Sequence, residues 1–512
     1  MSKNQNPDTT ASRRQFLKTG AAGLGAVAAG TALTAMTATD ANAAKPLPSK
    51  WDDEYDVLVV GSGYAALSAA IEAHEAGVKV AILEKMKVAG GNSIINGGLL
   101  AAPGTPLQAK EGIKDSPAVY LADMLKAGLN LNHIELARIV AEQVRDALMW
   151  TIDMGVEYKP RLNHLGGHSV PRTYNTTNSS GSGIVRVMLD KVKSLGIPLK
   201  TRTKVTTLFQ DDSGRIQGVE VRERYKHGDE TSGKVKAIRA RKGVILATGG
   251  FSKDEPFRKA QDPRLAAEFN VDSTNQPGAT SEAMREAMRI GGNPVHLSWI
   301  QLGPWASADE QGFGVGSMFS ILAAFPFGFM VDADTGKRFV NELADRKTRA
   351  DIMLTRKRPP VVITDQNGVE FASTLPQCLE RGVVKKYDSI EEVAAANDIP
   401  VSALTETLGK YNGYVAKGED VEFGKRFREG HGQLKAPFYA IRLWPKVHHT
   451  MGGLQIDTEA RVISNDTWKP IDGLYAAGEV CGGVHGASRL GSCAIAECLV
   501  FGRIAGKVAA KA

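Results

Sequence analysis

Two histidines and an arginine, each beside glycines, mark where this 512-residue chain is equipped for chemistry. Val447-His448-His449-Thr450-Met451-Gly452-Gly453 is followed by Ala477-Gly478-Glu479-Val480, then by Gly483-Val484-His485-Gly486-Ala487-Ser488-Arg489-Leu490-Gly491. Imidazoles and a guanidinium, beside glycines that let backbone approach closely, suit the binding of an anion. Far earlier in the chain, Val59-Val60-Gly61-Ser62-Gly63-Tyr64-Ala65-Ala66 is a dinucleotide fingerprint followed by small residues.

These groups must be held by an open sheet. Asp56–Val60 reads as a buried strand, Gly61–Gly63 as a tight turn, Ala65–Ala76 as a helix and Val78–Leu83 as a second strand ending in Glu84. In such a βαβ unit a pyrophosphate rests on the helix N-terminus, and the acid about 20 residues past the glycines binds ribose hydroxyls. Gly243–Gly250 and Leu474–Glu479 read as further central strands whose carboxyl ends face the ligand crevice. Gly90-Gly91-Asn92-Ser93 and Asn96-Gly97-Gly98 are loops whose backbone N–H groups can lie against a ring or a phosphate. From about 296 to 440 strand periodicity weakens, and amphipathic stretches at Ser389–Ala395 and Val401–Val415 predict helices. The expected fold is α/β: a discontinuous Rossmann-like nucleotide-binding domain at 50–295 and 441–512, with an α+β capping domain inserted at 296–440.

Composition excludes other classes. Lys plus Arg number 63 against 56 acidic residues, a mild and unclustered excess without the basic stripe or interleaved aromatics of a nucleic-acid binder. Residues 1–43 read as a twin-arginine signal peptide: Ser12-Arg13-Arg14-Gln15-Phe16-Leu17-Lys18, then an Ala/Gly/Thr run, then Ala41-Asn42-Ala43 as cleavage site. The expected location is the periplasm, without stable membrane insertion after signal removal. Cys378, Cys481, Cys493 and Cys498 read as buried free thiols. They supply no Cys-x-x-Cys-His for a c-type haem and no ferredoxin-like cluster, and no metal site is expected.

The fingerprint through Glu84, the Gly-Gly-Asn-Ser loop, Ser273-Thr274-Asn275-Gln276-Pro277-Gly278-Ala279, Gly336-Lys337-Arg338-Phe339-Val340-Asn341-Glu342, His448–Gly453 and Gly483–Leu490 together resemble the fumarate reductase/flavocytochrome c flavoprotein family. The resemblance runs from about Glu54 to Gly506. It implies noncovalent FAD in the discontinuous domain, a mobile capping domain and chemistry where they meet. It carries FAD contacts onto Ala65, Glu84, Asn92, Ser93, Gly97, Gly98, His449, Glu479, Ala494 and Ile495, with Glu282 standing where the family often has an acid.

The resemblance also implies a reaction, reduction of a C=C bond conjugated to a carboxylate: hydride from flavin N5 to the β-carbon and a proton to the α-carbon. That requires a carboxylate clamp, positive charge for developing enolate character, and an acid. His448 and Arg489 match the clamp, Ser492 stands where a glycine backbone helps hold substrate, and Arg346 matches the proton donor.

Departures from the family refine the substrate. A histidine that holds the second carboxylate of fumarate is replaced by Gly303, and the threonine, glutamate and arginine of the next block by Ile321, Leu322 and Phe325. Burying an unpartnered carboxylate among apolar side chains costs about several kcal/mol, so the expected substrate is an acrylate, methacrylate or arylacrylate. Phe319, Phe325, Phe327, Phe329 and Trp305 are the aromatics available to line its apolar end. Electrons are expected from a separate periplasmic multihaem cytochrome c, in anaerobic respiration. Competing readings are a fumarate reductase, a ketosteroid-type dehydrogenase, which would leave the clamp nothing to hold, and a flavin electron carrier without turnover.

Overall fold

Tyr55–Val60 is an almost unbroken apolar run, and it is buried as a central parallel strand requires. The computed structural model describes residues 45–265, 271–428 and 430–512; the export signal expected at 1–43 lies outside the described residues. In chain order, the elements that build the site begin with β1 (Asp53–Val60), α1 (Tyr64–Glu75), β2 (Val80–Leu83), β3 (Lys234–Leu246) and β4 (Ile300–Gly303). They continue with α2 (Arg346–Leu354), β5 (Lys446–Thr450), β6 (Pro470–Ala476) and α3 (Cys493–Lys511).

The main sheet is the expected α/β sheet. Strands β6, β3, β1 and β2 lie side by side in parallel, with Leu199–Lys200 beyond β2 and Arg461–Ile463 antiparallel on the edge of β6. An antiparallel hairpin, Thr203–Gln210 with Ile216–Glu223, extends it from β3. The sequence reading did not anticipate that hairpin. Its strands alternate Lys, Thr, Glu and Arg with buried apolar residues, a pattern weaker than a continuous apolar run.

Helices α1 and α3 run in step because small residues face each other. A Cβ on Gly502 would stand 2.5 Å from the Ala65 carbonyl oxygen, and one on Gly506 would run into that of Ala69. Backbone therefore meets backbone, and the first turn of α3 is carried to the crevice where α1 begins. In this way residues near both ends of the described chain reach one site.

A second sheet holds Phe329–Val331, Val361–Asp365, Phe438–Arg442 and Val384–Tyr387 in that spatial order, all antiparallel. Successive residues point to opposite faces. Met330, Val362, Tyr439 and Ile441 pack with Trp305, Phe319 and Phe325, while Phe329, Val361, Ile363 and Phe438 pack with Leu404 and Tyr411. The helices expected at 389–395 and 401–415 are Ile390–Ala396 and Val401–Lys417.

Two features join this sheet to the crevice. Arg338 donates to Glu342 at 2.9 Å and to Asp420 at 2.9 Å, all three side chains being buried, and Lys425 lies 3.5 Å from Glu342. This network ties down the segment leading into α2. Strand β4 pairs antiparallel with β5, setting Gln301 opposite His449 with a register shift before Leu302. Among the described residues, no helix is long and apolar enough to cross a membrane.

Candidate active site

The crevice at the carboxyl ends of β1 and β3 is an open cleft of about 890 Å3. Gly61–Ala65, Glu84, Lys85, Asn92, Ser93, Lys204, Glu282 and Glu479 are among its lining residues. Gly61 has φ +109°, and a Cβ there would run into the Ala247 carbonyl oxygen, so the turn admits glycine alone. Gly63 caps α1 with no side-chain hydrogen bond, and no acid occupies its first turn. The Tyr64 N–H is taken by Ser93 Oγ, and the rest of this helix N-terminus, with its dipole, suits a pyrophosphate. Ser62 donates to Glu84 Oε2, and the Met86 N–H donates to Oε1 at 2.7 Å. Burial pushes the Glu84 carboxyl up, against those hydrogen bonds.

Asn92 and Ser93 shape the cleft through the backbone: Asn92 Oδ1 accepts from Gln276 N at 2.9 Å and Ser93 Oγ from Tyr64 N at 3.0 Å. Glu282 faces Lys85 at 3.1 Å and Lys204 at 3.3 Å. Burial pushes its carboxyl up, but Lys85, Thr280 and Lys204 outweigh that and bring it down to about 2.

His449 and Glu479 form a buried pair, Nδ1 to Oε2 at 3.5 Å, and Glu479 Oε1 accepts from Thr450 N at 3.0 Å. His449 Nε2 is buried without a partner. An orphaned ring nitrogen beside this cleft is what a hydrogen-bonding flavin would satisfy. The helix N-terminus, the buried Glu84 carboxyl and the orphaned imidazole together fit FAD. Gly97, Gly98, Ala494 and Ile495 are not among the residues lining this cleft. A Cβ on Gly98 would run into Thr176 and Ser180, so that glycine serves loop packing, and Ala494 and Ile495 lie in the first turn of α3. His449, His485 and Glu497 offer ligand atoms within 4.8 Å of one another, but the 2.8 Å His485–Glu497 hydrogen bond already satisfies that pair.

Beyond the cleft, three cationic or donor side chains converge. Arg346 begins α2 because Asp345 caps the helix, accepting from Thr348 N at 3.0 Å. Its guanidinium donates to Gln301 Oε1 at 2.6 Å and lies over the Trp305 ring at 4.5 Å. Burial, together with the charges of Arg489 and Arg349, pushes it well below the usual arginine value. Arg489 is 7 % exposed, donates to the Leu490 carbonyl at 3.1 Å, and keeps its Nε without a partner. Among the described residues, neither arginine forms an ion pair with a carboxylate.

His448 shares a 2.8 Å hydrogen bond between Nδ1 and Thr274 Oγ1, and meets Trp305 edge-on at 5.2 Å. Burial, with Arg489 and Arg346, pushes it well below the usual histidine value. It is therefore neutral near pH 7 and acts through a hydrogen bond, not through charge. Two guanidinium groups and an imidazole, none in an ion pair with a carboxylate among the described residues, are donors of the kind that suits a carboxylate.

Ser492 sits at φ 59°, with its hydroxyl engaged by Thr173 at 2.7 Å and the Gly491 carbonyl at 2.6 Å. The hydroxyl is thus committed to the protein, and Ser492 shapes the turn that carries Arg489.

One expectation about the apolar end needs correction. Leu322 is 36 % exposed, so it is not a buried wall. Phe319 and Phe329 are core residues, Phe327 stacks on Phe371 at 4.4 Å, and Phe325 lies under Arg349. Trp305 alone of the five aromatics touches both Arg346 and His448. Gln301, which no sequence pattern singles out, also donates through its amide to the Arg489 carbonyl at 2.9 Å and to Ser488 at 3.2 Å. Gln301 and Ser488 further line a second cavity, about 610 Å3, with Asp262, Arg264, Lys347 and Asp351. The four cysteines are unpaired, as expected.

The FAD binding domain family model matches residues 56–495. The chain is 48% identical over 504 residues to the acrylate reductase flavoprotein subunit of Shewanella woodyi, covering 97% of this chain and 98% of that one. It is 36% identical to a cytochrome-type fumarate reductase of Shewanella frigidimarina, covering 91% of this chain and 78% of that one. Among solved structures, the open conformation of a flavocytochrome c3 fumarate reductase aligns with TM-score 0.76 and 34% identity, over 90% of this chain and 79% of that one.

Proposed function

The chain belongs to the FAD binding domain family, among its flavoprotein reductases of C=C bonds, and from that premise we propose that it reduces an α,β-unsaturated monocarboxylate of the acrylate type. The observation that carries this reading is the buried Arg489, which has no ion-pair partner among the described residues and is tied through Gln301 to the buried Arg346 guanidinium.

In this reading residues 50–295 and 441–512 hold FAD noncovalently and 296–440 cap it. Bound there, FAD supplies a hydride from N5 of its reduced ring to the β-carbon. Arg489 and neutral His448 clamp the carboxylate, and their donors stabilise the charge that develops on it. Arg346 gives its proton to the α-carbon. An ordinary guanidinium is too weak an acid for this, but burial and two neighbouring arginines weaken the hold of Arg346 on its proton. Gln301 fixes the guanidinium, and protons that restore it enter from the second cavity, where Lys347 and Asp351 meet solvent.

The wider setting is a proposal of the same kind. The twin-arginine signal exports the protein to the periplasm, where a separate multihaem cytochrome c delivers electrons for anaerobic respiration.

The deciding experiment is an anaerobic assay of FAD-loaded protein with reduced methyl viologen, challenged with fumarate, acrylate, methacrylate, cinnamate and urocanate. Fast oxidation by an apolar monocarboxylate but not by fumarate supports the reading. Comparable turnover of fumarate overturns the monocarboxylate assignment, and silence with all five overturns the reductase assignment.

A further inference from the structure

We propose that the Trp305 indole is the wall that sets substrate size, restricting the site to enoates of three or four carbons and shutting out an aryl group or a second carboxylate. This deepens the enoate reading above and rests on it.

The argument begins with what the indole touches. Its ring lies under the Arg346 guanidinium at 4.5 Å and meets the His448 imidazole edge-on at 5.2 Å. A molecule held between the proton donor and the clamp therefore lies against Trp305. The indole is 5 % exposed and packs into the apolar cluster with Phe319 and Phe325, so it has little freedom to swing aside.

Gly303 seats it. A Cβ on Gly303 would stand 3.1 Å from both Cε2 and Cζ2 and 3.4 Å from Nε1, tighter than side chains normally pack. The Nε1 edge of the ring thus lies on the backbone of β4, and Nε1 is buried without a partner. The indole occupies the space into which a side chain at 303 would project. Position 303 therefore offers no side chain to a second carboxylate, and a carboxylate pressed against the face of this ring would lose its hydration without gaining a donor from it.

The test compares wild type with Trp305→Ala, Trp305→Phe, Gly303→Ala and the Gly303→Ala/Trp305→Ala double variant, all loaded with FAD. Turnover of acrylate and cinnamate is measured with reduced methyl viologen. Binding of propionate and 3-phenylpropionate to the oxidised proteins is followed by the perturbation of flavin absorbance, which needs no turnover. Trp305→Ala is expected to raise the cinnamate-to-acrylate ratio of kcat/KM at least about tenfold and to gain affinity for 3-phenylpropionate, as the vacated volume admits the ring. Trp305→Phe, which keeps an apolar wall, is expected to retain the preference for acrylate. Gly303→Ala is expected to lower kcat/KM for acrylate roughly three- to tenfold by pushing the indole, and to have no such effect when Trp305 is already alanine.

An unchanged ratio in a Trp305→Ala protein that retains FAD and acrylate turnover overturns the proposal. So does a wild type that accepts cinnamate as well as acrylate. If Trp305→Ala loses its FAD, Gly303→Ala decides, and an unaltered acrylate kcat/KM there overturns it. A wild type that reduces no enoate sinks the underlying reading instead, while the two saturated acids still test the wall: 3-phenylpropionate binding as tightly as propionate overturns it.

Discussion

Arg346 donates to Gln301 at 2.6 Å while the amide of Gln301 donates to the Arg489 carbonyl at 2.9 Å, so one side chain sets the proposed proton donor relative to the proposed carboxylate clamp. Gln301 lies on β4, opposite His449 on β5. The pairing of two distant segments therefore fixes the geometry of the whole receptor.

Removing that bridge should misplace Arg346 without unloading the clamp. Gln301→Leu is expected to lower kcat roughly ten- to hundredfold while KM for the enoate changes little. Steady-state kinetics check this, and a change confined to KM would count against a positioning role.

Arg346→Gln should abolish proton delivery and preserve substrate binding. The expected loss in kcat is roughly 10²- to 10⁴-fold, the usual worth of a general acid. Single-turnover oxidation of the reduced flavin and titration with a saturated acid separate chemistry from binding; wild-type turnover by the variant would remove Arg346 from the mechanism.

Arg489→Met should remove the bidentate carboxylate partner. A fall of roughly 10²- to 10³-fold in kcat/KM is expected, as for other lost oxyanion donors. His448→Gln, which replaces a neutral hydrogen-bonding group by another, should cost less. Comparable losses in the two variants would mean that charge is not what distinguishes Arg489.

Glu282 makes stability depend on acid. Its folded-state value, about 2, lies below the ordinary 4.5. The stabilisation is therefore complete above pH 4.5 and is lost as pH falls from there toward 2. Glu282→Gln should lower Tm at pH 6 and flatten the Tm–pH curve in that acid range, measured on FAD-loaded protein. Parallel curves for the two proteins would show that the ion pairs with Lys85 and Lys204 contribute nothing.

Gly61→Ala should prevent flavin binding. The added Cβ runs into the Ala247 carbonyl oxygen, and φ +109° strains any other residue. The purified variant is expected to be colourless, with a lowered Tm that added FAD does not restore. A yellow protein with full flavin content would contradict the role of that turn.

Much of this was legible in the residues themselves. The βαβ unit from β1 to Glu84 could be read because a buried parallel strand and a glycine turn are local patterns. The helices at 390–396 and 401–417 were legible for the same reason, through apolar periodicity. Where reading failed, the fault lay in distance along the chain. Leu322 was taken for a pocket wall and is exposed; Trp305 was one of five available aromatics, and no local pattern pointed to Gln301.

The sequence by itself determined the nucleotide-binding half-site, the residue types proposed to bind an anion and the absence of polar side chains at Gly303, Ile321 and Leu322, because each depends on residue identity or on neighbours within a few positions. Only the tertiary structure decided that Gln301 joins Arg346 to Arg489, that Trp305 lies between Arg346 and His448, and that the Ser492 hydroxyl is committed to Thr173. Those contacts arise from the β4–β5 register, the step of α3 along α1 and the close packing over Gly303, which bring together atoms that no local pattern in the chain relates.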